Sequence, residues 1–173
     1  FMHNEGYSTM CGHAVIALGR YAVDQSLVHI DKPETKVSIQ CPCGLVIAHV
    51  TTSNGQPSQV RFRSVPAFAF ALDKKITTPQ YGPVKLDIGY GGAFYAVVSA
   101  EHFGLDVRTS LTRDLVQAAT IVSDAVKEQV PLYHPDSSDL AFLYGTILTD
   151  GRDKFSNIPS ANICVFANRQ VDR

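Results

Sequence analysis

Apolar and polar positions follow two different periods along this chain, and the change of period marks its organisation. Between Ala14 and Val23 only Gly19 and Arg20 interrupt the apolar residues Ala14, Val15, Ile16, Ala17, Leu18, Tyr21, Ala22 and Val23. After a polar, turn-like opening from Phe1 to Tyr7, this run predicts a helix from about Cys11 to about Asp24, capped by Ser8 or Thr9. Wound at 3.6 residues per turn it is apolar nearly all round, which predicts a helix buried on every side. After Asp31-Lys32-Pro33 the period becomes two: Lys36 to Gln40, Leu45 to Val50 and, past a Ser53-Asn54-Gly55 turn, Val60 to Arg63. These segments predict antiparallel strands joined by hairpins and curled round the one apolar helix.

Strand patterning resumes at Phe68 to Leu72, Val84 to Ile88 and Phe94 to Val98. Gly89-Tyr90-Gly91-Gly92 interrupts it and predicts a bulge or a close backbone approach. A second helix follows, capped by Thr112, with a one-sided stripe of Leu115, Val116, Ala118, Ala119, Val122, Ala125 and Val126, and it ends near Val130-Pro131. A loop at His134 to Ser138, strands at Leu140 to Leu148 and Asn162 to Phe166, and an exposed connection from Gly151 to Ser160 complete the pattern. The expected class is α+β, with residues 1–67 as one unit and 68–173 as a second. The opening at Phe1 and the stop at Arg173, directly after an apolar strand, are those expected of a segment cut at both ends.

Composition narrows the function classes. The chain has 173 residues, 45% of them apolar and 18% charged, enough for a hydrophobic core without staples. Fifteen basic against sixteen acidic residues leave a net charge of −1, no field for nucleic acid or an anionic membrane. Its longest apolar runs fall short of the about 20 residues of a membrane span. The expectation is a cytoplasmic protein with reduced thiols and a small-molecule partner.

Cys11 is the first candidate for chemistry. At the first turn of a helix its sulfur meets unpaired N–H groups and the positive end of the macrodipole, which favour thiolate over thiol. Gly12 leaves the same amides open to a ligand carboxylate. The alternative is an inert, packed cysteine. His13 reaches a ligand if the helix mouth is open, and is otherwise a core histidine. Cys41-Pro42-Cys43 on a strand puts both sulfurs on one face, but zinc favours two to four residues between paired cysteines, so packing is preferred to metal. Gly89 to Gly92 lacks the lysine and following helix of a phosphate loop. Asp172 could orient a ligand amine or cap a helix.

The stretch from Met2 to His13, ending Met10-Cys11-Gly12-His13, resembles the first catalytic motif of the proline racemase family. Asp87 to Ala96 resembles the family's Gly-Gly segment, Phe166 to Arg173 resembles the approach to its second motif, and His134 to Gly145 is similar to members that dehydrate hydroxyproline. The resemblance implies a fold like that of diaminopimelate epimerase: two pseudo-symmetric lobes, each a curled antiparallel sheet round a central helix, the second lobe here cut before its catalytic motif. It implies dehydration of trans-3-hydroxy-L-proline to pyrroline-2-carboxylate without a cofactor or metal, with proline racemisation or 4-hydroxyproline 2-epimerisation by two opposed cysteines as the alternative. In that scheme Cys11 is the base, Gly12 and His13 line the carboxylate and ring-nitrogen side, Asp172 assists at the nitrogen and Phe166 walls the pocket. Ala93 stands where many members have asparagine. Beyond Arg173 the family continues with Ser-Pro and then cysteine for epimerisation or threonine for dehydration. A homodimer is the assembly expected. A reading from another class is a non-catalytic segment or a module binding proline-like ligands.

Overall fold

Two short strands, β1 (Met2–His3) and β2 (Gly6–Tyr7), pair as a small ribbon where the sequence predicts only turns, and lead into helix α1 (Gly12–Asp24). The computed structural model describes residues 1–173 except 4, 54–55, 153–158, 168 and 173. The expected turn at Asn54-Gly55 and most of the connection after Arg152 lie outside the described residues. The chain divides into two units, Phe1–Pro66 and Ala67–Arg173.

In the first unit, β3 (Glu34–Cys41), β4 (Gly44–Ser53) and β5 (Gln56–Arg63) form an antiparallel sheet in the order β3-β4-β5. Val46, Ala48 and Val50 point from β4 to one face and are fully buried. Helix α1 lies across β4 and β5 on that face. Its contact stripe is Val15, Gly19 and Val23, spaced by four. Gly19 is a packing requirement: a Cβ there would stand 2.8 Å from the Ala48 methyl. The expectation of a helix buried on every side is corrected, because Ile16, Leu18 and Tyr21 are 38%, 45% and 56% exposed. Three strands present one face, and one face covers one side of a cylinder.

The opposite face of this sheet carries a charged relay. Glu34 holds His49 Nδ1 at 2.7 Å through one carboxylate oxygen and Arg61 at 2.8 Å through the other. The His49 hydrogen bond, aided by Arg61 and opposed by burial, keeps the Glu34 carboxyl below its ordinary value of 4.5. A depressed folded-state value means that ionised Glu34 stabilises the fold above the unfolded value, and that this contribution disappears as pH falls through the folded one. The thermal midpoint of the native protein should therefore fall more steeply across the acidic carboxylate range than that of Glu34→Gln, and equal slopes would rule the relay out as a stabilising element.

In the second unit a six-stranded sheet has the order β11-β10-β9-β8-β7-β6. The strands are β6 (Phe68–Thr78), β7 (Gly82–Tyr90), β8 (Phe94–Ser99), β9 (Leu143–Thr149), β10 (Asn162–Phe166) and β11 (Gln170–Asp172). Every neighbouring pair is antiparallel except β8 and β9, which run parallel. Parallel neighbours need a crossover, supplied here by α2 (Thr112–Gln129). β6 runs well past Leu72, because two register shifts absorb its polar middle and seat Asp73 at φ 55°. The Asp73 N–H donates to Asp87 at 2.8 Å. Gly91, Gly92 and Ala93 form the turn of a tight β7–β8 hairpin rather than a bulge, with Gly92 at φ 110°. Leu111, not Thr112, occupies the cap position of α2, and no side chain caps it.

Helix α2 buries Leu115, Ala118, Ala119, Val122 and Val126 against the sheet, chiefly on β9. Ser123 and Thr146, both buried, satisfy one another at 2.7 Å. The Gln129 amide accepts from the Thr77 N–H and donates to its carbonyl, tying the last turn of α2 to β6. Among the described residues no helix is long and apolar enough to cross a membrane.

Candidate active site

The loop before α1 is held from three directions. The Ser8 N–H donates to the Phe1 carbonyl at 3.1 Å, the Ser8 hydroxyl donates to the Met10 carbonyl at 2.9 Å, and the Cys43 N–H donates to the Thr9 carbonyl at 3.2 Å. Ser8 and Thr9 are buried as anchors, not used as caps. The cap position belongs to Cys11, extended at φ −135° and ψ 115°, so the helix begins one residue later than the sequence predicts. Its carbonyl accepts the first helical bond, from the Val15 N–H at 2.9 Å. Among the described residues the Cys11 side chain makes no capping hydrogen bond, and the first turn carries no acidic side chain. The N–H groups of that turn have no intrahelical acceptor, an arrangement that favours negative charge at the mouth.

Cys11 is a free, half-buried thiol beside these amides. Gly12 is half-buried and His13 exposed on the turn that follows. Gly12 has a structural reason as well as a chemical one: a Cβ there would stand 3.1 Å from the Phe62 ring on β5. That ring seats the helix mouth on the sheet. Sequence reading missed Phe62, although its alternation with Val60 along β5 marks it as facing the helix.

Cys41 and Cys43 do not share a strand face. β3 ends at Cys41, and Cys43 lies in the two-residue turn before Gly44. Both thiols are buried, and burial pushes both upward. Cys43 bears on the site through its backbone, which holds Thr9. Among the described residues no group of three or more His, Cys, Asp or Glu could hold a metal ion.

In the second unit, Phe166 and Asp172 belong to adjacent strands of one hairpin. Phe166 lies opposite Gln170, and Cys164 lies directly opposite Asp172. Residues two apart share a face, so Phe166, Cys164 and Asp172 look the same way. Ile163 and Val165 point to the other side and are buried. The Phe166 face also carries Tyr95 and Tyr144. Tyr144 stacks on Phe166 with centroids 5.4 Å apart and ring planes 16° apart, and Tyr95 meets Tyr144 edge-on at 5.5 Å. Burial first, then the Asp172 carboxylate, pushes the Cys164 thiol up to about 11, while a hydrogen bond from Tyr95 opposes the shift. Burial likewise pushes the Tyr95 hydroxyl up. Asp172 thus brings a carboxyl group to this face, directly across from the Cys164 thiol.

The Gly-Gly turn is flanked by an aromatic cluster. Tyr90 packs 4.9 Å from Phe94, and the His134 ring lies 4.5 Å from Tyr90. His134 Nδ1 accepts the Asp136 N–H at 3.2 Å, which fixes the His134-Pro135-Asp136 loop over β7 and β8.

These elements define an α+β protein of two units, one offering a thiol at a helix mouth and the other an aromatic sheet face with a carboxylate. A family model described as proline racemase matches residues 1–173. Trans-L-3-hydroxyproline dehydratase of Xenopus tropicalis is 66% identical over 174 residues, which take in 100% of this chain and 50% of that protein. Human trans-3-hydroxy-L-proline dehydratase is 58% identical over 177 residues, again 100% of this chain and 50% of that one. The crystal structure of a probable proline racemase from Agrobacterium radiobacter, with bound carbonate, aligns with a TM-score of 0.86 at 28% identity, over 98% of this chain and 49% of that chain. The chain belongs to the proline racemase family. It spans about half the length of the curated relatives it matches.

Proposed function

We propose that the protein, at the full length of its relatives, removes water from trans-3-hydroxy-L-proline to give pyrroline-2-carboxylate. The observation that carries this reading is Cys11, a free and partly exposed thiol at the cap of a helix whose first-turn amides are met by no acidic side chain. In this reading the substrate carboxylate lies on the amides of Gly12 and His13. Cys11, as thiolate, takes the proton from Cα, and the electron pair left behind is held as an enediolate by the same amides. That pair then forms the Cα–Cβ double bond as the C–O bond at Cβ breaks. The Cα proton and the Cβ hydroxyl together make one water, so the reaction balances with no electron acceptor. The family resemblance supports Asp172 as the residue that assists at the ring nitrogen and Phe166 as the wall of the ring.

Identities of 66% and 58% to proteins named as dehydratases support water loss over epimerisation. The second reading, proton return by an opposed thiol, is supported by the structural neighbour named as a probable proline racemase. Free thiols at Cys11, Cys41, Cys43 and Cys164 support a reducing, cytoplasmic setting.

The two readings separate in one experiment. With trans-3-hydroxy-L-proline in deuterated water, the full-length protein is expected to accumulate pyrroline-2-carboxylate, followed by NMR. Accumulation of the deuterated Cα epimer instead would establish the second reading, and binding without turnover would leave a ligand-binding module.

A further inference from the structure

The sheet of the second unit has one irregularity where β8 meets β9. Phe94 pairs with Leu143 and Tyr95 with Gly145, so the register shifts by one residue at Tyr144. Strict alternation would place Tyr144 with Thr146 and Leu148, on the face covered by α2. The bulge turns it to the opposite face, where its ring meets Tyr95 and lies flat on Phe166. A bulge gives up regular ladder pairing, and bulges that re-aim a side chain are enriched beside active sites.

We propose that Tyr144 is a positioning residue: stacked on Phe166 and braced by Tyr95, it fixes the Phe166 ring and so sets the width of the wall offered to a five-membered substrate ring. This rests on the reading of Phe166 as that wall. Three contacts support it. The backbone of Gly145 lies against Phe166, where a Cβ would stand 2.9 Å from the Phe166 Cβ, so the ring cannot retreat across β9. Tyr144 covers the ring at near-parallel geometry, the arrangement in which an aromatic pair resists tilting. Tyr95 shares this sheet face with Cys164, the cross-strand partner of Asp172, so the brace and the carboxylate belong to one face.

A wall acts on the substrate before and during the reaction alike, so its loss should appear in KM and not in kcat. The test uses full-length protein and reads steady-state kinetics with trans-3-hydroxy-L-proline, the Kd of the planar analogue pyrrole-2-carboxylate, and folding by circular dichroism. Tyr144→Ala should raise KM and Kd by about tenfold with kcat changed less than about threefold. Tyr144→Leu, which keeps bulk without a flat ring, should do the same, and serves if the alanine variant fails to fold. Tyr144→Phe should restore the native KM. A folded Tyr144→Ala or Tyr144→Leu with KM and Kd within twofold of native overturns the proposal, as does a Tyr144→Phe as weak as the alanine variant. Native protein that neither binds the analogue nor turns over the substrate removes the function reading, and the positioning role with it.

Discussion

Cys11→Ser should lower dehydration of trans-3-hydroxy-L-proline by about 10³-fold, within the range lost when a general base is removed. A serine hydroxyl occupies nearly the same space at the cap, and hydroxyls are favoured there, so α1 should keep or gain stability. The pairing of an intact fold with a collapsed turnover number is the diagnostic result. KM and the affinity for pyrrole-2-carboxylate should change little, because the carboxylate is held by backbone amides that the substitution leaves in place. The check is a progress curve for pyrroline-2-carboxylate beside a thermal melt of the same preparation. A turnover number within tenfold of native would remove Cys11 as the base.

Gly145→Ala should be the most damaging small substitution in the second unit. Gly145 lies between Tyr95 on β8 and Phe166 on β10. An added Cβ would stand 2.9 Å and 3.0 Å from the Cβ and Cα of Phe166, and it would also overlap the Val165 carbonyl oxygen. Two of these three obstacles are backbone, so no rotamer change clears them. Overpacking of this kind costs about 3 kcal/mol. In a unit of this size that lowers the thermal midpoint by roughly 10 °C or more. Because the strain is relieved by moving β10, the same variant should also weaken analogue binding through Phe166. A melt within a few degrees of native would show that β9 and β10 separate more easily than this contact implies.

Strand content was legible where alternation was clean, as in Val84 to Ile88, or where a short apolar run stood between turn signals, as in Asn162 to Phe166. It was not legible in the second half of β6, where Asp73, Lys74 and Lys75 break the pattern and the chain accommodates them with register shifts. β11 is three residues long and mostly polar, so no periodicity could announce it. Parallel pairing of β8 with β9 depends on a crossover, which local patterning does not encode. For α1, residue types suggested burial all round, but burial also depends on how much sheet is available to cover the helix.

For the candidate site, the placement of Cys11 and Gly12 at a helix start was readable from the sequence. Phe166 and Asp172 came from family resemblance, and the register of β10 with β11 shows that they share a face. Tyr144 was hidden for a specific reason: a bulge reverses the face that alternation assigns. The signal available was the glycine after it, since Gly145 permits the close approach that pins Phe166.

The four thiols divide three to one in a way that serves the bench. Cys41 and Cys43 are enclosed, and burial with the Asp172 carboxylate pushes the half-buried Cys164 thiol up to about 11, which disfavours the thiolate that alkylating reagents need. Cys11 stands partly open at a helix mouth. Within residues 1–173, a maleimide or iodoacetamide adduct at Cys11, located by peptide mapping, would therefore report occupancy of its helix mouth.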